Sequence, residues 1–203
     1  MPDFELEKSA VKNGYKYVCG VDEAGRGPLA GPVCAAAVIL PEDLEIEGLN
    51  DSKKLSEKKR EYLFDIIKEK ALSYCIAFGS VEEIEEFNIL EATFIAMNRS
   101  IDGLSIKPDF ALIDGNRIPK NIKVPCETVI KGDAKSASIA AASVLAKVRR
   151  DRLLLEYDRE YPQYNFKKHK GYGTKEHTDL ILEYGPCPIH RPSFLKKLLG
   201  DKK

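Results

Sequence analysis

Two short apolar runs that end in acid do most to limit how this chain can fold. KYVCGVD (16–22) and DFALID (109–114) are each too short for a buried helix and suit a buried strand. Each run closes on carboxylates beside glycine: Asp22-Glu23 before Ala-Gly-Arg-Gly, and Asp114 before Gly115. A third acid, Asp133, follows Lys131-Gly132 and opens a long helical stretch. Acids at strand ends and helix starts can converge on one sheet edge, where open α/β sheets bind ligands.

The rest of the pattern agrees with such a sheet. VCAAAVIL (33–40) and SYCIAFGS (73–80) read as further strands, and Pro28, Gly31 and Pro32 punctuate the first connection. Ser56 is placed to cap a helix over 57–70. A helix over roughly 81–103 is expected to break near Asn88. KVPCETVI (123–130) is a strand that Pro125 pushes to an edge. From Ala134 to about Tyr161 a long helix begins Ala-rich, which lets it sit close to a sheet. Two short helices are expected within 174–199, separated by GPCPIHRP. The fold class that follows is α/β, a mixed sheet with helices on its faces.

Four clustered carboxylates, Asp22, Glu23, Asp114 and Asp133, would repel one another and raise their pKa values unless cations neutralise them. Two divalent ions would balance about four negative charges and form a clamp for phosphoryl transfer. Oxygen donors without neighbouring His or Cys favour Mg²⁺ or Mn²⁺ over zinc. Adjacent strand residues face opposite ways, so Asp22 and Glu23 share a site only where the strand ends or distorts. Each acid also has an ordinary reading. Asp22-Glu23 and Asp114-Gly115 suit turns, and Asp133 suits a helix cap.

Composition excludes several classes. Lys+Arg and Asp+Glu each count 32, so any nucleic-acid partner must be held by local basic patches rather than by net charge. The five cysteines form no C-x-x-C pair, which leaves reduced thiols and no zinc framework. MPDFELEKSA lacks an apolar signal region, and VCAAAVIL is too short to span a bilayer. A cytoplasmic protein with no membrane partner is expected. Basic residues gather at Lys53-Lys54, at 147–152, and at Lys167, Lys168, Lys170 and Lys175.

VDEAGRGPLAGPV (21–33) closely resembles the signature of ribonuclease HII. NDSKKLS (50–56), IDG (113–115), KGDAKSASIAAASVLAKVRRD (131–151) and HKGYGTKEH (169–177) resemble that family's further blocks in the same order, from about residue 15 to 195. The resemblance implies a ribonuclease H-like core over 1–160 and a helical C-terminal extension over 161–203. It implies that Asp22, Glu23, Asp114 and Asp133 are catalytic and bind two divalent cations. The implied substrates are RNA/DNA hybrids and duplex DNA carrying single ribonucleotides. Cleavage is implied on the 5′ side of the ribonucleotide, leaving 3′-hydroxyl and 5′-phosphate ends.

Only the 2′-hydroxyl marks a lone ribonucleotide in a duplex, and glycines let the backbone come close to it. By resemblance, Gly25, Arg26 and Gly27 contact the ribose and nearby phosphates, and Tyr172 stacks on the neighbouring sugar. Lys53, Lys54, Ser136, Ser138 and Lys170 are expected phosphate or supporting contacts. His169, His177 and His190 are expected to be structural or near the phosphates, not catalytic. A monomer is expected. The alternatives from other classes are a catalytically silent nucleic-acid-binding module of the same fold and a metal-dependent DNA nuclease.

Overall fold

The strand that carries Asp22 and Glu23 is the middle of the sheet, and the other layers are arranged around it. In this computed structural model residues 1–200 are described. The chain begins with a helix, α1 (Glu5–Lys12), followed by β1 (Val18–Ala24) and β2 (Val33–Ile39). Next come α2 (Glu57–Lys70), β3 (Ser73–Gly79), α3 (Val81–Phe87), α4 (Ile89–Asp102), β4 (Phe110–Asp114) and β5 (Cys126–Val129). The long α5 (Ala137–Glu160) precedes α6 (Phe166–His169), α7 (Lys175–Tyr184) and α8 (Pro192–Leu199). The expected C-terminal extension ends at 203, so its last three residues lie outside the described ones.

The strands lie in the order β3-β2-β1-β4-β5. β1 pairs antiparallel with β2 and parallel with β4, and β4 pairs parallel with β5. The mixed sheet expected from the sequence is present, and β5, with Pro125 just before it, is an edge strand. The parallel pairing stops at Val21↔Ile113, whereas the antiparallel pairing runs on to Ala24↔Cys34. Asp22 and Glu23 therefore project past the end of the β1–β4 ladder while β2 still holds their backbone.

Both faces of the sheet are covered. On one face Cys19, Val21 and Ile113 pack with Ala92, Ala96 and Met97 of α4. On the other, Cys34, Ala36 and Val38 pack with Ala140, Ala141 and Val144 of α5 and with Leu63 and Ile67 of α2. The helical stretch near 81–103 splits at Asn88, which has φ 76° and caps α4 by accepting from the amides of Leu90 and Glu91. The C-terminal helices share a third core in which Phe166, Ile181 and Leu195 meet Leu154 of α5 and Ala30 of the β1–β2 connection.

The Ala-rich start of α5 lies directly on β1. A Cβ placed at Gly20 would overlap the backbone of Ser138 and Ile139. Gly20→Ala must therefore push α5 off the central strand. A loss of about 1–3 kcal/mol is expected, the usual range for overpacking, read as a lower denaturant midpoint at unchanged slope. A midpoint equal to wild type would show that the contact yields freely.

Candidate active site at the end of the central strands

Asp22 and Glu23 reach the same place from opposite faces of β1. Asp22 turns towards α5, where it lies against Ser143, and its Oδ1 accepts from the amide of Glu23 at 2.7 Å. Glu23 turns to the α4 side, into a cleft of about 450 Å³ that it shares with Arg26, Thr93, Met97, Asp114 and Arg117. Asp114 ends β4, and its Oδ1 accepts from the amide of Gly132 at 2.7 Å. Carboxylate oxygens of Asp22, Glu23 and Asp114 all lie within 4.8 Å of one another. The tension over two adjacent acids on one strand is resolved by position, because each bends over the open end of the ladder.

Asp133 sits in a short 3-10 turn, Gly132–Ala134, that leads into α5. It is not in the three-carboxylate set but lies beside it, near Asp114, Asp51 and Lys53. Burial, then Glu23 and Asp114, hold the Asp22 carboxyl well above the usual carboxylate range. Burial also raises Glu23 against the pull of Arg26, with Asp114 adding to the rise. Asp133 is raised by burial and by Asp51 and Asp114. Burial works against the charge of Lys53, but Asp22, Asp133, Asp51 and Asp114 outweigh it and raise the Lys53 pKa. These groups form one crowded acidic patch with Lys53 and Arg26 against it.

The glycine loop and Tyr172 are neighbours. A Cβ on Gly27 would come 3.9 Å from the Tyr172 ring. Tyr172 is 43% exposed, with Lys147 Nζ at 5.7 Å and the Arg150 guanidinium at 6.0 Å from its centroid. Gly25 has φ 99°, and a side chain there would strike Arg150. Arg26 is exposed and pairs with Glu23 at 3.5 Å. Lys54 is exposed, and the Lys170 ammonium is turned onto its own loop, donating to the Lys167 carbonyl at 2.5 Å.

Two expected contacts have a different place. Ser136 and Ser138 are buried, at 0% and 1% exposure, and they face α1 rather than the cleft. A duplex at the surface does not meet their hydroxyls. Of the phosphate and supporting contacts expected of them, burial favours the supporting one.

Sequence reasoning overlooked the groups that hold the loop in shape. Arg191 is fully buried and donates to the carbonyls of Gly25 (2.7 Å), Arg26 (3.0 Å), Pro28 (2.8 Å) and Gly31 (2.8 Å). Arg150 donates to the carbonyls of Ala30, Pro32 and Lys170. Burial and the nearby Arg150 push Arg191 down to about 9, so it stays charged at neutral pH. Asp51, inside the quoted NDSKKLS block, was also missed as a neighbour of Asp133. A long-range backbone pin of this kind leaves no local sequence signal.

The family model described as Ribonuclease HII matches residues 19–197. The chain belongs to the ribonuclease HII family. It is 57% identical to a ribonuclease HII of Caldicellulosiruptor saccharolyticus over 97% of this chain and 95% of that protein. It is 58% identical to one from Idiomarina loihiensis over 91% of this chain and 99% of that protein. The crystal structure of ribonuclease H2 from Pyrococcus horikoshii superposes with a TM-score of 0.74 at 28% identity, covering 90% of this chain and 97% of that one. The ribonuclease H-like fold and ribonuclease H-type nuclease activity follow for this chain. Among the described residues no helix is long and apolar enough to cross a membrane.

The three histidines pack as one buried group behind Tyr172. His177 Nε2 lies 3.0 Å from His190 Nε2, and the rings of His169 and His177 stack at 4.2 Å. His177 Nδ1 contacts the Tyr172 carbonyl at 2.9 Å. Burial pushes His177 and His190 down to about 4. Because the unfolded chain takes up protons near pH 6.5, this group's contribution to stability is complete above that pH. It is lost progressively as pH falls towards 4. Ring-proton NMR of the three histidines is expected to show no His177 or His190 midpoint above about pH 5. A midpoint between 6 and 7 for either would contradict the buried neutral cluster.

Proposed function

We propose that this chain hydrolyses the RNA strand of RNA/DNA hybrids and cuts on the 5′ side of single ribonucleotides in duplex DNA, leaving 3′-hydroxyl and 5′-phosphate ends. The supporting observation is that three carboxylates gather within 4.8 Å at a strand end, and one of them, Glu23, pairs with Arg26 of a glycine loop that lies against Tyr172.

The donor set fits divalent cations. It consists of carboxylate oxygens alone, which suits Mg²⁺ or Mn²⁺. It is also crowded enough that Asp22, Glu23 and Asp133 all resist ionisation without a counter-charge. Asp22, Glu23, Asp114 and Asp133 would hold two such ions, which supply a deprotonated water at neutral pH and stabilise charge on the leaving oxygen. The protein's own part is to position and to select. Gly25 and Gly27 bring backbone groups close to a 2′-hydroxyl, the group that separates ribose from deoxyribose. Tyr172 offers an exposed ring to the adjoining sugar. Lys53, Lys54, Arg26 and Lys170 are assigned to phosphates, contacts that position a duplex without reading bases. In this scheme 1–160 form the catalytic core and 161–203 bring Tyr172 to it.

The reading is tested with Mg²⁺ and a duplex carrying one ribonucleotide. A single incision 5′ of the ribonucleotide is expected, with an all-DNA duplex left intact. Cutting of both duplexes, or of neither, would overturn it. Asp22→Asn is expected to lower the rate about a thousandfold or more. The same change removes a carboxyl whose ionisation burial and its acidic neighbours oppose, so the metal-free variant is expected to melt above metal-free wild type at neutral pH. A lower melting temperature would contradict the repulsion assigned to Asp22.

A further inference from the structure

The segment before β1 lies outside the stretch matched by the family model, yet it is bonded to the turn that carries Asp133. Glu7 of α1 is only 6% exposed. Its Oε1 accepts from the Ser136 hydroxyl at 2.6 Å and from the Ser138 amide at 2.9 Å. Ser136 in turn caps α5 by accepting from the Ile139 amide at 3.1 Å. Four residues earlier, Asp3 donates its amide to the Lys135 carbonyl at 3.0 Å, and its own carbonyl accepts from the Ala137 amide at 2.8 Å. Lys135 and Ser136 lie two and three residues after Asp133, and their amides donate to the Gly132 carbonyl. The N-terminal segment thus fastens the Asp133 turn from behind, just where α5 lies on β1 at Gly20, two residues before Asp22.

Packing alone does not explain a carboxylate here. A buried charge is costly unless it is paired, and Glu7 Oε2 and the Ser138 hydroxyl have no partner among the described residues. An apolar side chain would fill the same space but leave the buried Ser136 hydroxyl and Ser138 amide without this acceptor. What the Glu7 side chain adds is one acceptor oxygen, Oε1, that takes both donors and fixes the first turn of α5. Groups that orient metal ligands in this way typically set metal affinity by 10–100-fold.

We infer that Glu7 is a positioning residue for the metal site: through Ser136 and Ser138 it holds the Asp133 turn in register with Asp22 and Asp114. The inference rests on the reading of Asp133 as a metal ligand. Its consequence is selective, because Asp22, Glu23 and Asp114 are carried by β1 and β4, and of the three only Asp114 touches the Asp133 turn, through the Gly132 amide.

The test is Mn²⁺ binding to the folded, substrate-free full chain, followed by calorimetry and electron paramagnetic resonance. Asp133→Asn identifies the binding event that depends on Asp133. Glu7→Ala is expected to weaken that same event about tenfold and leave the other within twofold of wild type. Glu7→Gln keeps an acceptor oxygen for both donors and is expected to restore most of the affinity. Lys8→Ala, which breaks the exposed pair with Asp43 on the same helix, is expected to change neither event. If Glu7→Ala does not fold, Glu7→Asp takes its place, since it keeps the charge and loses the reach. A Glu7 variant that melts earlier but binds both ions as wild type does would overturn the inference, as would equal weakening of both events. Failure of wild type to bind Mn²⁺ at all would instead sink the metal reading and leave the role of Glu7 in packing untouched.

Discussion

Electrostatic repulsion among carboxylates at the end of β1 and β4 is the constraint around which the molecule is organised. Asp22 is buried and held above its normal titration range by burial and by two acidic neighbours. A fold tolerates such an arrangement only if something else fixes the backbone. β2 supplies this on one side, by pairing with β1 past the point where β4 stops. The amide of Gly132 supplies it at Asp114, and the amide of Glu23 at Asp22. Cations suited to hard oxygen donors then become the natural complement of the site.

A second layer of order surrounds the charge. The loop from Gly25 to Pro32 has no regular structure over most of its length, yet its carbonyls are taken up by two buried arginines. Neither arginine relies on a carboxylate for these bonds. A guanidinium offers a rigid fork of donors, so one side chain can fix several carbonyls at once. The histidine group behind Tyr172 completes the support, since its members touch Tyr172 and Gly171 through the backbone. The face offered to a substrate is thus rigid although it is built from loops.

Much of this was legible in the sequence, because the relevant signals are local. The acid-terminated strands, the break at Asn88, the edge placement after Pro125 and the small-residue start of α5 each follow from a few adjacent residues. What escaped depends on contacts distant in sequence. ELEKSAVK reads as an acidic start with little apolar content, and its helix is secured by bonds to residues more than 120 positions away. Arg150 and Arg191 look like surface charge in a basic run and a Pro-rich connection. Only the fold shows them buried. Ser136 and Ser138 were open between phosphate contact and a supporting role, and only the packing of α1, which turns them inward, favours the second.

Anomalous diffraction from crystals soaked in Mn²⁺ probes the central claim most directly. The account predicts an ion coordinated by oxygens of Asp22, Glu23 and Asp114, and a second beside it that includes Asp133 among its ligands. Strong Mn²⁺ peaks elsewhere on the protein, with none between β1 and β4, would contradict it.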